Sequence, residues 1–214
     1  MNNLLLIAYH LIWTGYGHWL PNDPRGSGST IVLKDSIAAL GEIHFGRKKI
    51  QPPGKTVREF YDAANKLLSF PVLRFDHSDI AAIGNALADI IDQRKYTCYA
   101  CAIMPDHVHV LIRKHRGLGE EMIEYLQDGS RDRFCESGAC DSCHPVWTDG
   151  GWKRYLFTPD DLRAVIRYIE NNPLEIGWPR QEWAFVKPYD GWPLHPGHNP
   201  NSPWARRLRE ARGR

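Results

Sequence analysis

Two histidines, a tyrosine and an asparagine are the residues in this chain whose types and spacing suit chemistry. His107 and His109 flank Val108 and are followed by Val110, Leu111 and Ile112. Along an extended strand alternate side chains share a face, so both imidazoles point one way while Val108, Val110 and Ile112 point into a core. Two neutral imidazoles so placed can meet one divalent metal ion. The pattern also suits zinc enzymes, cupins and nucleotide hydrolases, or simply two surface histidines beside a core strand. Tyr168 and Asn172 are four residues apart in a helical segment and therefore share a flank. If that helix lies across the strand, Asn172 supplies a third ligand and Tyr168 comes within reach of the metal. The plainer alternative is a tyrosine packed at a helix edge. Two imidazoles and an amide oxygen leave an ion's charge uncompensated, with open positions for anionic oxygens, as phosphate chemistry requires.

The elements that must position these groups follow from periodicity and punctuation. Residues 4 to 13 are apolar almost throughout and read as a strand covered on both faces. The stretch 19 to 29 is dense in turn formers and must be a loop. Residues 57 to 69 carry Phe60, Ala63, Ala64 and Leu67 on one helical stripe. A second helix starts at Ser78 or Asp79 and runs to about Arg94, with Ile80, Ile83, Leu87, Ile90 and Ile91 at helical spacing. Tyr96 to Ile103 and His107 to Arg113 form an antiparallel hairpin around a tight turn at Pro105-Asp106. Residues 119 to 134 are helical, and 135 to 153 form a loop. Thr158-Pro159-Asp160-Asp161 then starts a helix: Thr158 caps, Pro159 fits the first turn, and two acids sit at the positive end of the dipole. Leu162, Val165, Ile166 and Ile169 form its buried stripe, and Pro173 ends it. From Pro173 onward there are seven prolines and four tryptophans, which read as an extended tail wrapped on the domain. The order of elements gives an α+β fold, an antiparallel sheet with helices packed on one face.

A chain of 214 residues, 43% hydrophobic and 11% aromatic, can bury a real core and is not globally disordered. Its longest apolar run, Leu4 to Ala8, is too short to span a bilayer and lacks the features of a signal peptide, so a cytoplasmic protein without membrane attachment is expected. Five cysteines and no extracellular signal argue against disulfides. Cys135, Cys140, Cys143 and His144 have spacing that could hold zinc, or are free thiols in a polar loop. Cys98 and Cys101, three apart on a strand, are expected on opposite faces as core thiols. Net charge is only +2, but basic residues cluster at Arg47-Lys48-Lys49 and in the last nine residues, where five arginines, Arg206 and Arg207 among them, face one acid. Such segments attract phosphates, or are solvated helix ends.

The phrases Tyr99-Ala100-Cys101-Ala102-Ile103-Met104-Pro105-Asp106-His107-Val108-His109-Val110-Leu111-Ile112 and Tyr168-Ile169-Glu170-Asn171-Asn172-Pro173 resemble the HUH single-tyrosine transposases, and most of all the REP-associated tyrosine transposases. Gly129-Ser130-Arg131 also resembles the segment after the family's first post-hairpin helix. The likeness covers roughly 96 to 173 plus the opening strand. It implies a ferredoxin-like sheet and a metal-assisted attack of tyrosine on single-stranded DNA that leaves a 5′-phosphotyrosine and a free 3′-hydroxyl. Carried over by position, His107, His109 and Asn172 are metal ligands, Tyr168 is the nucleophile, and Mg²⁺ is the cellular ion, with Mn²⁺ able to substitute. Expected partners are single-stranded or hairpin DNA, with a monomer or homodimer associated with the nucleoid when bound. Arg131, Lys153 and Arg154 are candidate DNA contacts beside the basic clusters, with Tyr155 along the backbone next to the last two. Domain limits are set at 1–177, with an insertion at about 17–75, and 178–214 as an extension; insertion and tail both depart from the plain family pattern.

Two other readings stand beside this one. A histidine-triad nucleotide hydrolase continues the alternation with a third histidine, and here position 111 is Leu. A non-catalytic protein that binds DNA hairpins would keep the fold without the reaction.

Overall fold

The structure, a computed structural model, describes residues 6–29, 32, 35–46, 48–136, 138–193, 206, 207 and 210. Four strands and the longer helices follow one another as β1 (Ala8–Thr14), α1 (Asp35–Ala38), α2 (Gly54–Asn65), α3 (His77–Gln93), β2 (Cys98–Ile103), β3 (His107–Arg113), α4 (Gly119–Glu136), β4 (Trp152–Leu156) and α5 (Pro159–Asn171), and a 3-10 turn covers Asn172–Ile176. The sheet order is β2-β3-β1-β4, every pair antiparallel. With α3 between β1 and β2 and α4 between β3 and β4, this is the split βαβ arrangement of a ferredoxin-like fold, as expected.

Side-chain alternation divides the core in two. Tyr9, Leu11 and Trp13 of β1 and Val108, Val110 and Ile112 of β3 meet Ile83, Leu87 and Ile91 of α3 and Met122 and Leu126 of α4. The opposite face holds Ala8, Ala102 and Leu111 against Leu162, Val165 and Ile169 of α5. The two longest helices thus share one face, but α5 crosses the other, correcting the expectation of helices on a single face. The reason lies in β3, where the alternate residues include Leu111, and in β2, where Tyr99, Ala100 and Ala102 are all buried. A sheet apolar on both sides must be covered on both sides. Several helix limits match closely. Asp76 caps α3 in a reciprocal capping box with Asp79, and Thr158 accepts from the Asp161 amide at the start of α5.

β4 was not expected. It pairs with β1 from Ala8↔Leu156 to Ile12↔Trp152, and only Leu156 of its residues is buried. At the other edge the tail supplies cover. Gln181 bonds both the amide and the carbonyl of Ile103, Lys187 donates to the Cys98 carbonyl, and Val186 bridges Cys98. Trp183 and Phe185 pack against the α3/α4 core and Tyr189 and Trp192 against the α5 core, so residues 178–193 wrap the β2 edge as expected of the tail.

A register shift between Cys98 and Ala100 places Cys98 and Cys101 in the same core rather than on opposite faces, because a bulge inserts one residue into the alternation. Both are buried free thiols, and burial pushes Cys98 up to about 12. Cys135 and Cys140 form a disulfide, correcting the expectation of free thiols; their Cα atoms are 4.9 Å apart, within bridging range. In the insertion, Leu20, Ile37 and Ala64 form a small separate core. It is pinned by buried Asp23, which takes a salt bridge from Arg25 at 2.7 Å and a hydrogen bond from the Tyr61 hydroxyl. Among the described residues no helix is long and apolar enough to cross a membrane.

Candidate functional site

The register that builds the sheet also builds the site. Ile12 pairs with His109 and His10 pairs with Leu111, so His10, His107 and His109 share the face covered by α5. His107 is partly open, whereas His10 and His109 are both only 4% exposed. Burying polar rings is tolerated when they are hydrogen-bonded, and these are: His10 Nε2 lies 3.0 Å from His109 Nδ1, and His107 Nδ1 lies 2.7 Å from the Asp106 carboxylate. His107 therefore stays at the margin of the core, whereas His109 on the same face lies within it. Burial would raise the Asp106 carboxyl, but the His107 hydrogen bond and charge hold it below its usual range.

These contacts decide which nitrogens remain. With Nδ1 of His107 facing a carboxylate and Nδ1 of His109 facing His10, Nε2 of each motif histidine keeps its lone pair when both rings donate through Nδ1. Imidazoles oriented in this way by a carboxylate or a second polar group are suited to holding a metal ion. His10 is the candidate site residue that sequence reasoning missed. Its signal was a single histidine in a largely apolar strand.

Tyr168, on α5, packs its ring edge-on against His109 at 5.5 Å and His10 at 6.1 Å between centroids, yet is 48% exposed. Leu162, Val165 and Ile169 hold α5 down, which leaves position 168 at the margin of the buried stripe and half exposed. One turn later Asn172 is buried and donates from Nδ2 to the Tyr168 carbonyl at 3.1 Å, so its amide oxygen remains an acceptor. Among the described residues no three His, Cys, Asp or Glu side chains converge as a metal group.

The other tyrosines stand apart from this cluster. Tyr155 pairs with Tyr9 and lies on the α3/α4 face, edge-on to the Tyr9 ring, which corrects its expected place beside Arg154. Tyr125, on α4, lies under the Arg94 guanidinium. Of the three basic residues near the motif segments, one is placed for the site. Arg154 pairs with His10 and is exposed on the histidine face, with Trp152 beside it on the same face. Lys153 points to the other side and bridges Glu120 at 2.9 Å. Arg131 spends its guanidinium on the Ser142 and His144 carbonyls and Asp132, holding the loop rather than offering a DNA contact. Lys48 and Lys49 are exposed on the insertion and Arg206 and Arg207 are exposed, while Arg47 and the remaining tail arginines lie outside the described residues.

The zinc candidate is not assembled. Cys135 and Cys140 are bonded to each other, Cys143 is exposed, and His144 uses both ring nitrogens, one on the Pro71 carbonyl and one accepting from the Val146 amide. No lone pair is left on that imidazole for a metal.

Burial, with a smaller effect of the Arg154 charge, lowers His10 to about 4; burial, then the charges of His107 and His10, lowers His109 well below its usual value. A group that is harder to protonate in the folded chain stabilises the fold above its unfolded pKa, and that contribution is lost as pH falls. Stability should therefore decline between pH 6.5 and 4, by up to about 3 kcal/mol from His10 alone. Denaturant midpoints at pH 7 and 4.5 check this: His10→Gln, whose amide does not titrate, is expected to flatten the dependence, and an unaltered dependence would show that other groups carry it.

The chain thus presents a ferredoxin-like α+β sheet with three histidines and a tyrosine joined on one face. Its fold is similar to that of a REP-associated tyrosine transposase bound to a REP hairpin, with 11% identity, 83% of this chain and 73% of that one covered, and a TM-score of 0.44. It is also similar to a proposed transposase from Deinococcus radiodurans R1, with 19% identity, 80% of this chain and 94% of that one covered, and a TM-score of 0.36. No protein-family model and no curated protein matches the chain.

Proposed function

We propose that this protein cuts and rejoins single-stranded DNA through a phosphotyrosine bond, as a transposase-type nuclease acting at DNA hairpins. The observation that carries the reading is the half-exposed Tyr168 ring set against His109 and His10, on the helix that ends in buried Asn172. In this reading His107, His109 and the Asn172 amide oxygen hold a divalent metal, Mg²⁺ in the cell with Mn²⁺ able to replace it. When bound, the metal polarises the scissile phosphate and offsets its developing charge. The remaining work belongs to side chains. Asp106 and His10 orient the two motif imidazoles. Arg154, exposed on the same face, draws the DNA backbone to the site, and Trp152 offers a ring on which a base stacks.

Tyr168 oxygen attacks phosphorus and loses its proton to solvent. The bond from phosphorus to the 3′ oxygen breaks, that oxygen leaves as a 3′-hydroxyl after taking up a proton, and the 5′-phosphate stays on the tyrosine. One diester replaces another, so rejoining by the reverse attack needs no nucleotide. Leu111, apolar and buried where a histidine-triad hydrolase has its third histidine, speaks against that alternative.

The test is a denaturing gel with single-stranded oligonucleotides from the flanks of the protein's own gene, labelled at either end. A covalent protein–DNA band is expected with the 3′ label only, in Mg²⁺ or Mn²⁺ and not in a chelator. DNA binding with no adduct under any metal would leave the non-catalytic hairpin-binding reading in its place.

A further inference from the structure

At the far end of the sheet lies a cleft of about 690 Å³ that the reaction does not use. Its walls come from three connections: the end of α3 with Arg94 and Lys95, the chain after β3 with Lys114, His115 and Arg116, and the outer face of α4 with Tyr125. Tyr96 forms part of the floor, edge-on to His115 at 5.0 Å, and Glu121 is the single acid in the lining. From His107 to Arg113 is six strand steps, so the cleft lies about 20 Å from the motif histidines. It also opens on the α3/α4 side rather than under α5.

The placement of these cations is not explained by the fold alone. Arg94 and Lys95 follow the C-terminus of α3, where the helix dipole favours positive charge, and Lys95 bridges Asp92 at 3.3 Å. Lys114 braces the Tyr9 hydroxyl at 2.6 Å. Arg116, however, stands just before the N-terminus of α4, where the dipole disfavours a cation, and it is exposed with no ion pair among the described residues. Glu121 in the same turn is already engaged by the Leu118 amide. Crowding is felt locally: burial and then the charges of Arg116, Lys114 and Arg113 lower His115. Over Tyr125, which is 41% exposed, the Arg94 guanidinium lies 3.4 Å from the ring centroid, a flat surface of the kind on which bases stack.

Basic groups interleaved with aromatic faces suit a ligand of regularly spaced phosphates and planar bases. We infer that this cleft is a second nucleic-acid site, which holds the backbone and a stacked base of the bound DNA about 20 Å from the motif histidines. The inference rests on the DNA-processing reading above, and it divides recognition between a cutting face and a remote anchor.

The experiment measures equilibrium binding of the full chain, without metal, to mixed-sequence single-stranded oligonucleotides of about 4 nucleotides, too short to span the two sites, and about 30 nucleotides over a range of salt. For Arg94→Gln/Arg116→Gln, affinity for the long strand should fall about tenfold and its salt slope by about 1.4, two contacts at about 0.7 each, while the short strand, which still binds at the cutting face, should lose no more than about twofold. Tyr125→Ala should weaken only the long strand, by about fivefold or more, through the lost stacking surface. An unchanged long strand, or equal losses on both strands, would overturn the inference and leave the DNA-processing reading standing. Wild-type protein that binds neither strand would overturn both. A small-anion site would be revealed by inorganic pyrophosphate binding that the double variant loses with no change on the long strand, and that result too would overturn the proposal.

Discussion

Tyr168→Phe is expected to abolish the covalent adduct, lowering its formation by about 10³-fold or more, while DNA affinity changes by less than about threefold. The substitution removes one oxygen from a ring that keeps its place. Contacts of that ring with His109 and His10 are edge contacts of the aromatic body, and the residue is half exposed, so neither packing nor stability depends on the hydroxyl. A free phenol has a pKa of about 10 and reacts poorly at neutral pH, so attack depends on where the oxygen is held. Adduct yield by denaturing gel and binding by anisotropy separate the two effects; parallel loss of both would mean the hydroxyl serves binding and not chemistry.

The motif histidines should show the second large effect, and they should differ from each other. His107→Ala removes a partly exposed ring whose partner, Asp106, can turn to water, so metal affinity and cleavage should fall by about 100-fold or more with little loss of stability. His109→Ala should do the same to metal and cleavage, and in addition cost about 1–3 kcal/mol of stability. It empties a buried position and leaves His10 without its hydrogen-bond partner. Calorimetric Mn²⁺ titration and denaturant unfolding of the two variants read these quantities separately. Metal affinity retained in both would remove the histidines from the metal site, and equal stability of the two would mean that the His10–His109 contact contributes nothing.

Where periodicity was strong, the sequence was a reliable guide to the fold. His107–Arg113 and Pro159–Asn171 were legible because each carries an unbroken period, of two or 3.6, closed by a turn or a cap. β4 was not legible because an edge strand facing solvent needs little apolar alternation, and Trp-Lys-Arg-Tyr-Leu shows almost none. Missing that strand concealed where Lys153, Arg154 and Tyr155 point, since the β1 register alone sends Arg154 to the histidine face and its neighbours to the other. The bulge in β2 reversed the relation between Cys98 and Cys101 for a related reason: alternation is a local rule that one inserted residue overturns.

Within the site, the motif histidines, Tyr168 and Asn172 were visible as types at meaningful spacings. His10 was concealed in an apolar run and became meaningful only through its pairing with β3. Arg131 shows the converse. As a basic residue beside a motif-like segment it suggested DNA, and only its bonds to the Ser142 and His144 carbonyls reveal a structural role.

The most direct test of the central claim is peptide mapping of the trapped protein–DNA adduct by mass spectrometry after proteolysis and nuclease trimming. The account predicts a nucleotide attached through a 5′-phosphate to the peptide that carries Tyr168, with no adduct in Tyr168→Phe. A nucleotide on the peptide that carries Tyr155 or Tyr125, or an adduct that persists in Tyr168→Phe, would contradict it.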